Sequence, residues 1–123
     1  MQAKPVFLLT TIVGLFFGIT MMIVPSMILD LLGASYLDGG LTMGRHAASW
    51  ILAAAVFAFL VRNAEHSDTR QAIFILFDLA FILMVVAELF AYFTAAVNIM
   101  MWAIIALHVL FVILYTYLFI TNR

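Results

Sequence analysis

The chain contains no cysteine. Without a thiol there is no disulfide, no thiolate metal site and no cysteine nucleophile, and redox usage says nothing about compartment. Charge is scarce as well: five Lys and Arg and six Asp and Glu make 9% of 123 residues, where a soluble domain carries about 25%. The net charge of −1 builds no basic stripe, which excludes nucleic acid as a partner. What is present is apolar. Hydrophobic residues make up 68% of the chain, and the mean hydropathy is +1.28. Soluble domains are about 45–50% apolar, so the composition implies an integral membrane protein.

A helix rises about 1.5 Å per residue through hydrocarbon about 30 Å thick, so a span needs about 20 apolar residues. Residues 6–24, 44–61, 71–93 and 98–120 qualify. The first run follows Lys4 as a signal sequence would, but it is longer than the usual apolar core of about 7–15 residues and no small-x-small site follows it. It is read as a retained span. The expected fold is all-α: one transmembrane domain over 1–123, an antiparallel bundle of four transmembrane helices. Pro5 suits a first helical turn. Pro25 to Leu32 is read as a short interfacial helix closed by Gly33, with a kinked continuation of the first helix as the alternative. Residues 34–43 read as a turn-rich loop and 62–70 as a polar one, with Asp68 and Gln71 spaced as a capping box. The connection Thr94-Ala-Ala-Val-Asn98 is short enough to make the third and fourth spans antiparallel neighbours. Lys4, Arg62, Arg70 and Arg123 flank one side of such a bundle and Arg45 the other. By the positive-inside rule both termini face the cytoplasm, in a bacterial inner membrane.

The third span carries Asp78 and Glu88, and a carboxylate at mid-bilayer costs roughly 2.5–3.5 kcal/mol on insertion scales. Partners are therefore expected. Glu88 and Arg45 lie at similar depth near the outer surface, and a bidentate pair between them would lock two helices. Asp78 has Arg62, snorkelling from the second span, and His108 as candidates, although His108 lies about 8 Å nearer the midplane. A protonated Asp78 held by hydrogen bonds is the alternative. The two acids are about 80° apart around the helix and, with Tyr92, mark its inward side. His108 and Tyr115 share a face at i, i+7. These positions predict a buried polar seam between the third and fourth spans.

Helix contacts are expected at Gly14 and Gly18, a GxxxG pair, and along the small-residue stripe of the second span, Ala54 and Ala58 included. Packing within this chain is the first use of that surface, and docking to another subunit the second. Trp50 and Trp102 fit an outer aromatic belt. No cofactor is expected. His46 and His108 differ in depth by about 10 Å, which argues against bis-histidine haem, and no HxxxH, HExxH or carboxylate cluster supports a metal. A single axial bond from His108 to a chlorin pigment, or a lipophilic ligand between helices, stays open. The acids, about 15 Å apart along the axis, are too distant for a hydrolytic pair. No nucleophile is paired with a base.

The first helix running into Val24-Pro25, the Leu32-Gly33 turn, the opening Gly44-Arg45-His46-Ala47-Ala48 of the second span, and Asp78 embedded after a basic loop resemble the DoxX-like group of small four-helix membrane proteins. The similarity covers most of the chain in layout. Some members are accessory subunits of membrane redox complexes, so the resemblance implies architecture first and chemistry second. No residue role is carried over. The leading functional reading is a non-catalytic accessory or assembly subunit of a larger membrane complex, redox complexes included, with other membrane subunits or further copies as partners. A small transporter or proton conductor built on Asp78, Glu88 and His108 is the alternative, and a binder of quinone or lipid the third.

Overall fold

The first helix, α1 (Ala3–Ile23), stops because Val24 leaves the helical region, at φ −131° and ψ 69°, and Pro25 has no N–H with which to continue the ladder. Pro25 instead opens a separate helix, α2 (Pro25–Leu31). Gly33, at φ +65°, ends it in a Schellman motif, its own N–H on Asp30 O and that of Ala34 on Leu29 O. Of the two readings of this segment, the short separate helix is the one found. The computed structural model describes residues 2–122, and of Asp38 the backbone alone. Arg123, counted above for orientation, lies outside the described residues.

Three longer helices follow: α3 (Asp38–Val61), α4 (Asp68–Phe93) and α5 (Met101–Thr121). With α1 they are the four helices long and apolar enough to cross a membrane. The chain is an all-α membrane bundle.

All four long helices start away from the expected residue, α1 and α4 three residues early at Ala3 and Asp68. α3 begins at residue 38 rather than 44, because Gly39 and Gly40 extend the helix where they were read as breakers. At Gly40 an added Cβ would lie 2.7 Å from Tyr36 Cβ, so glycine lets the Tyr36 side chain cross close over this first turn. α5 begins at Met101 rather than 98, because Asn98 is spent as a turn residue, its Oδ1 accepting the Met100 N–H at 2.9 Å. The α4 cap is shifted by one residue as well: Ser67, not Asp68, holds the N-cap, accepting the Arg70 N–H at 3.2 Å.

The helices associate as two pairs, α1 with α3 and α4 with α5, joined chiefly where α1 meets α5. The α1–α3 seam is built from small residues. Gly44, Ala48, Ala55 and Ala58 are buried on α3 at the i, i+4, i+11, i+14 spacing of a straight seam. Opposite them, a Cβ on Gly14 would come within 2.8 Å of Ala55 Cβ, and one on Gly18 within 2.8 Å of Leu52 Cδ2. Thr11 crosses the same seam to Ala55 O at 3.2 Å. Ala54, expected in this stripe, is exposed; one residue along the helix turns the side chain by about 100°, and Ala55 takes the place. The core is densest between Phe7, Ala58, Phe74, Phe111, Tyr115 and Leu118, each no more than 1% exposed. It lies toward the end of the bundle that holds the 62–70 loop.

Candidate functional site

Heptad-like spacing puts Phe74, Phe77, Phe81, Glu88 and Tyr92 along one side of α4, and Met101, Ile105, His108, Phe111, Tyr115 and Leu118 along one side of α5. These two stripes face each other. Phe77 stacks on Tyr115 with centroids 5.0 Å apart, Phe81 on Phe111 at 4.6 Å, and the His108 ring lies 5.6 Å from Phe81. A ladder of rings thus runs up the seam and ends on an imidazole.

Beyond the last rung, His108 Nδ1 sits 2.6 Å from Glu88 Oε1. The side chains are 18% and 14% exposed. This is an ion-pair distance without the in-line geometry of a full hydrogen bond. One proton on either partner leaves the pair without net charge, as carboxylic acid with imidazole or carboxylate with imidazolium. That is the condition under which two ionisable groups are tolerated in hydrocarbon. The expected Arg45–Glu88 lock is not formed. α3 packs chiefly along α1 and meets α4 only toward its far end, where Phe57 stacks on Phe77 at 6.2 Å, so at its start the Arg45 Nε reaches Met22 O on α1 at 3.4 Å. The late start of α5 supplies the partner instead. His108 is seven residues from that end and Glu88 five from the end of α4, a depth difference of about 3 Å.

Asp78 lies one position off the ladder, toward α5. There the Thr116 hydroxyl donates to its Oδ2 at 2.9 Å. Neither His108 nor Arg62 is its partner. Arg62 turns back on its own helix, donating to Phe59 O with its guanidinium 3.7 Å from the Phe59 ring. Asp78 Oδ1 and Glu88 Oε2 are buried without a hydrogen bond among the described residues. Each acid therefore uses one oxygen on α5 and leaves the other bare.

Tyr115 ties the seam to α1: its hydroxyl lies 2.8 Å from Thr10 Oγ1, and Thr10 in turn donates to Val6 O at 3.0 Å. Tyr92 meets Trp102 edge to face at 5.3 Å. The acids, His108, Tyr92 and Tyr115 are thus gathered on or beside one interface, and Arg45 and Arg62 stand apart from it. Gly14, Gly18 and Ala58 serve the α1–α3 seam and its junction with the core. The polar partners missed by the sequence reading are threonines, Thr10 and Thr116. Their signal is weak because a membrane threonine bonds its own helix carbonyl as readily as a neighbour, as Thr20 does to Phe16 O.

Fold and site together define a polytopic helical membrane protein whose intramembrane acids face a neighbouring helix. Comparison with known family models, curated proteins and solved structures found no match.

Proposed function

We propose that the chain is a non-catalytic accessory or assembly subunit of a larger membrane complex, related in layout to the DoxX-like group. The observation that carries this reading is that the intramembrane ionisable groups of α4 and α5 are engaged across the helix pair, Glu88 with His108 and Asp78 with Thr116. Charge is used there for cohesion. The outward faces, with Trp50 and Leu60 on α3 and Leu76, Leu83 and Phe90 on α4, are exposed and apolar, available to lipid and to other membrane chains. The imbalance of Lys and Arg favours an orientation with both termini cytoplasmic, and a bacterial inner membrane is the location we propose. Purification of the tagged chain in mild detergent should bring down a stoichiometric membrane partner. A chain that runs alone and stays folded contradicts the proposal.

A second reading is favoured by the carboxyl–imidazole pair and by the bare oxygens of both acids. A proton exchanged between Glu88 and His108 makes the seam a candidate proton carrier. In proteoliposomes this reading requires a pH-driven flux that Glu88→Gln and Asp78→Asn abolish. Equal flux in the variants and in protein-free vesicles dismisses it.

A further inference from the structure

A cleft of about 340 Å³ opens at the end of the bundle where α1 begins, α3 ends, α4 begins and α5 ends. Among the described residues its walls carry three cations, Lys4, Arg62 and Arg70, together with the amides of Gln2, Asn63 and Asn122, and no carboxylate. Among the described residues no acidic side chain stands within ion-pair distance of any of the three. Glu65 in the preceding loop and Asp68 at the start of α4 are close in sequence, yet neither lines the cleft.

Two further features make this an anion site. α1 starts in the wall of the cleft, and its N-cap Gln2 makes no side-chain cap bond, while its first turn holds no acid. The N–H groups of Ala3 and Lys4, Pro5 having none, and the positive end of the helix dipole are left for an anion. Second, Arg70 is held in place rather than waving in solvent. It donates to Ala64 O at 3.1 Å and to Asn122 Oδ1 at 3.5 Å, its Nη2 lies 3.2 Å from His66 Nδ1, and its Nε is buried without a partner among the described residues.

We infer that this cleft binds the phosphate of an anionic phospholipid headgroup. The shared chemistry is a phosphate-bearing anion. Its position at the ends of four membrane-spanning helices favours the lipid over a free ion, because basic pockets between helix ends sit at headgroup level, where anionic lipids concentrate. The inference is independent of any partner subunit: it concerns the isolated chain in lipid.

The full chain, purified in mild detergent, is titrated with phosphatidylglycerol, phosphatidylcholine or inorganic phosphate, and bound lipid is read by native mass spectrometry. Phosphatidylglycerol should be retained in preference to phosphatidylcholine, and the preference should shrink as salt rises from about 0.05 to about 0.5 M. Removing a cation should weaken retention roughly fivefold, and Lys4→Gln with Arg62→Gln about 25-fold. Neither side chain bonds another helix, and circular dichroism checks the fold. Arg45→Gln, at the opposite end, should leave retention unchanged. Equal retention of the two lipids, wild-type affinity in the double variant, or an equal loss in Arg45→Gln overturns the inference. Competition by inorganic phosphate at similar concentration reassigns the cleft to a free anion and overturns the lipid. If the double variant does not fold, the lipid preference and salt dependence of the unaltered chain decide.

Discussion

Gly14 and Gly18 share one motif but face different obstacles. A Cβ at 14 would strike Ala55 Cβ, fixed to the backbone, at 2.8 Å, whereas one at 18 would strike Leu52 Cγ and Cδ2 at 2.8 Å, side-chain atoms that can move by a change of rotamer. Gly14→Ala should therefore cost about 1–3 kcal/mol, as overpacking does, and Gly18→Ala less, in reversible unfolding in detergent. The opposite ranking contradicts the α1–α3 seam. Ala95 offers a gain. It sits at φ 57° in the Schellman motif that ends α4, with its N–H on Tyr92 O and that of Ala96 on Ala91 O. A non-glycine residue in that region costs roughly 1–2 kcal/mol, so Ala95→Gly should raise stability by about 1 kcal/mol; a loss shows that the turn is not strained. Tyr36 adds a pH dependence outside the spans. Its hydroxyl donates to Asp30 Oδ1 at 2.9 Å, and this bond to the carboxylate raises the Tyr36 pKa above its ordinary value. Because the folded value is the higher one, the contact is fully present below the unfolded pKa of about 10 and is lost as pH rises through the folded value. An ultraviolet titration, with Tyr36→Phe as the difference, should place the Tyr36 midpoint above the ordinary range. Asp30→Asn should lower it, and an unmoved midpoint refutes the contact.

Among the elements, α2 and the α4–α5 turn are joined at one end of the bundle. Asn98 donates its backbone N–H to Leu32 O at 2.7 Å and its side-chain amide to Leu31 O at 3.1 Å, while Gly33 leaves no room for a Cβ beside it. This latch connects the α1–α3 pair to the α4–α5 pair far from their shared core. Asn98→Ala removes one bond from side chain to carbonyl and the cap on Met100, and should cost about 1 kcal/mol. Hydrogen exchange should show the loss concentrated in the Gly33 and Met101 turns; an even loss across all helices contradicts a local latch. The opposite end is closed by the amide of Gln71, which donates to Asn122 O. The seam between these closures is where sequence reasoning succeeded in part. Both acids could be assigned to an inward face from their spacing on α4, but their partners depend on which helix lies alongside. α3 offers alanines on several faces, so periodicity does not select Ala55 over Ala54. Only the facing Gly14 does. A three-residue difference in the start of α5, 101 rather than 98, was enough to hide His108 from Glu88.

For the whole molecule, the spans were legible because backbone groups in hydrocarbon must be satisfied within the segment, so length and hydropathy suffice. Gly39 and Gly40 were misread because glycine is a weak helix former in water; at Gly40 the missing Cβ admits Tyr36, whereas nothing lies within 4 Å of Gly39. Pairing order was not legible: α3 lies on α1 and leaves α4 to α5, and that choice moved Arg45 away from Glu88 and left Arg62, Lys4 and Arg70 to form a cationic end. The central claim is that Glu88 is neutralised by His108 across α4 and α5. A double-mutant cycle with Glu88→Ala and His108→Ala, read by reversible unfolding in detergent, tests it most directly, with Arg45→Ala and Glu88→Ala as the control cycle. The 88–108 cycle should give a coupling of about 0.5–1.7 kcal/mol, the range of polar contacts between membrane helices, and the 45–88 cycle should be additive. Additivity at 88–108 with coupling at 45–88 would contradict the account.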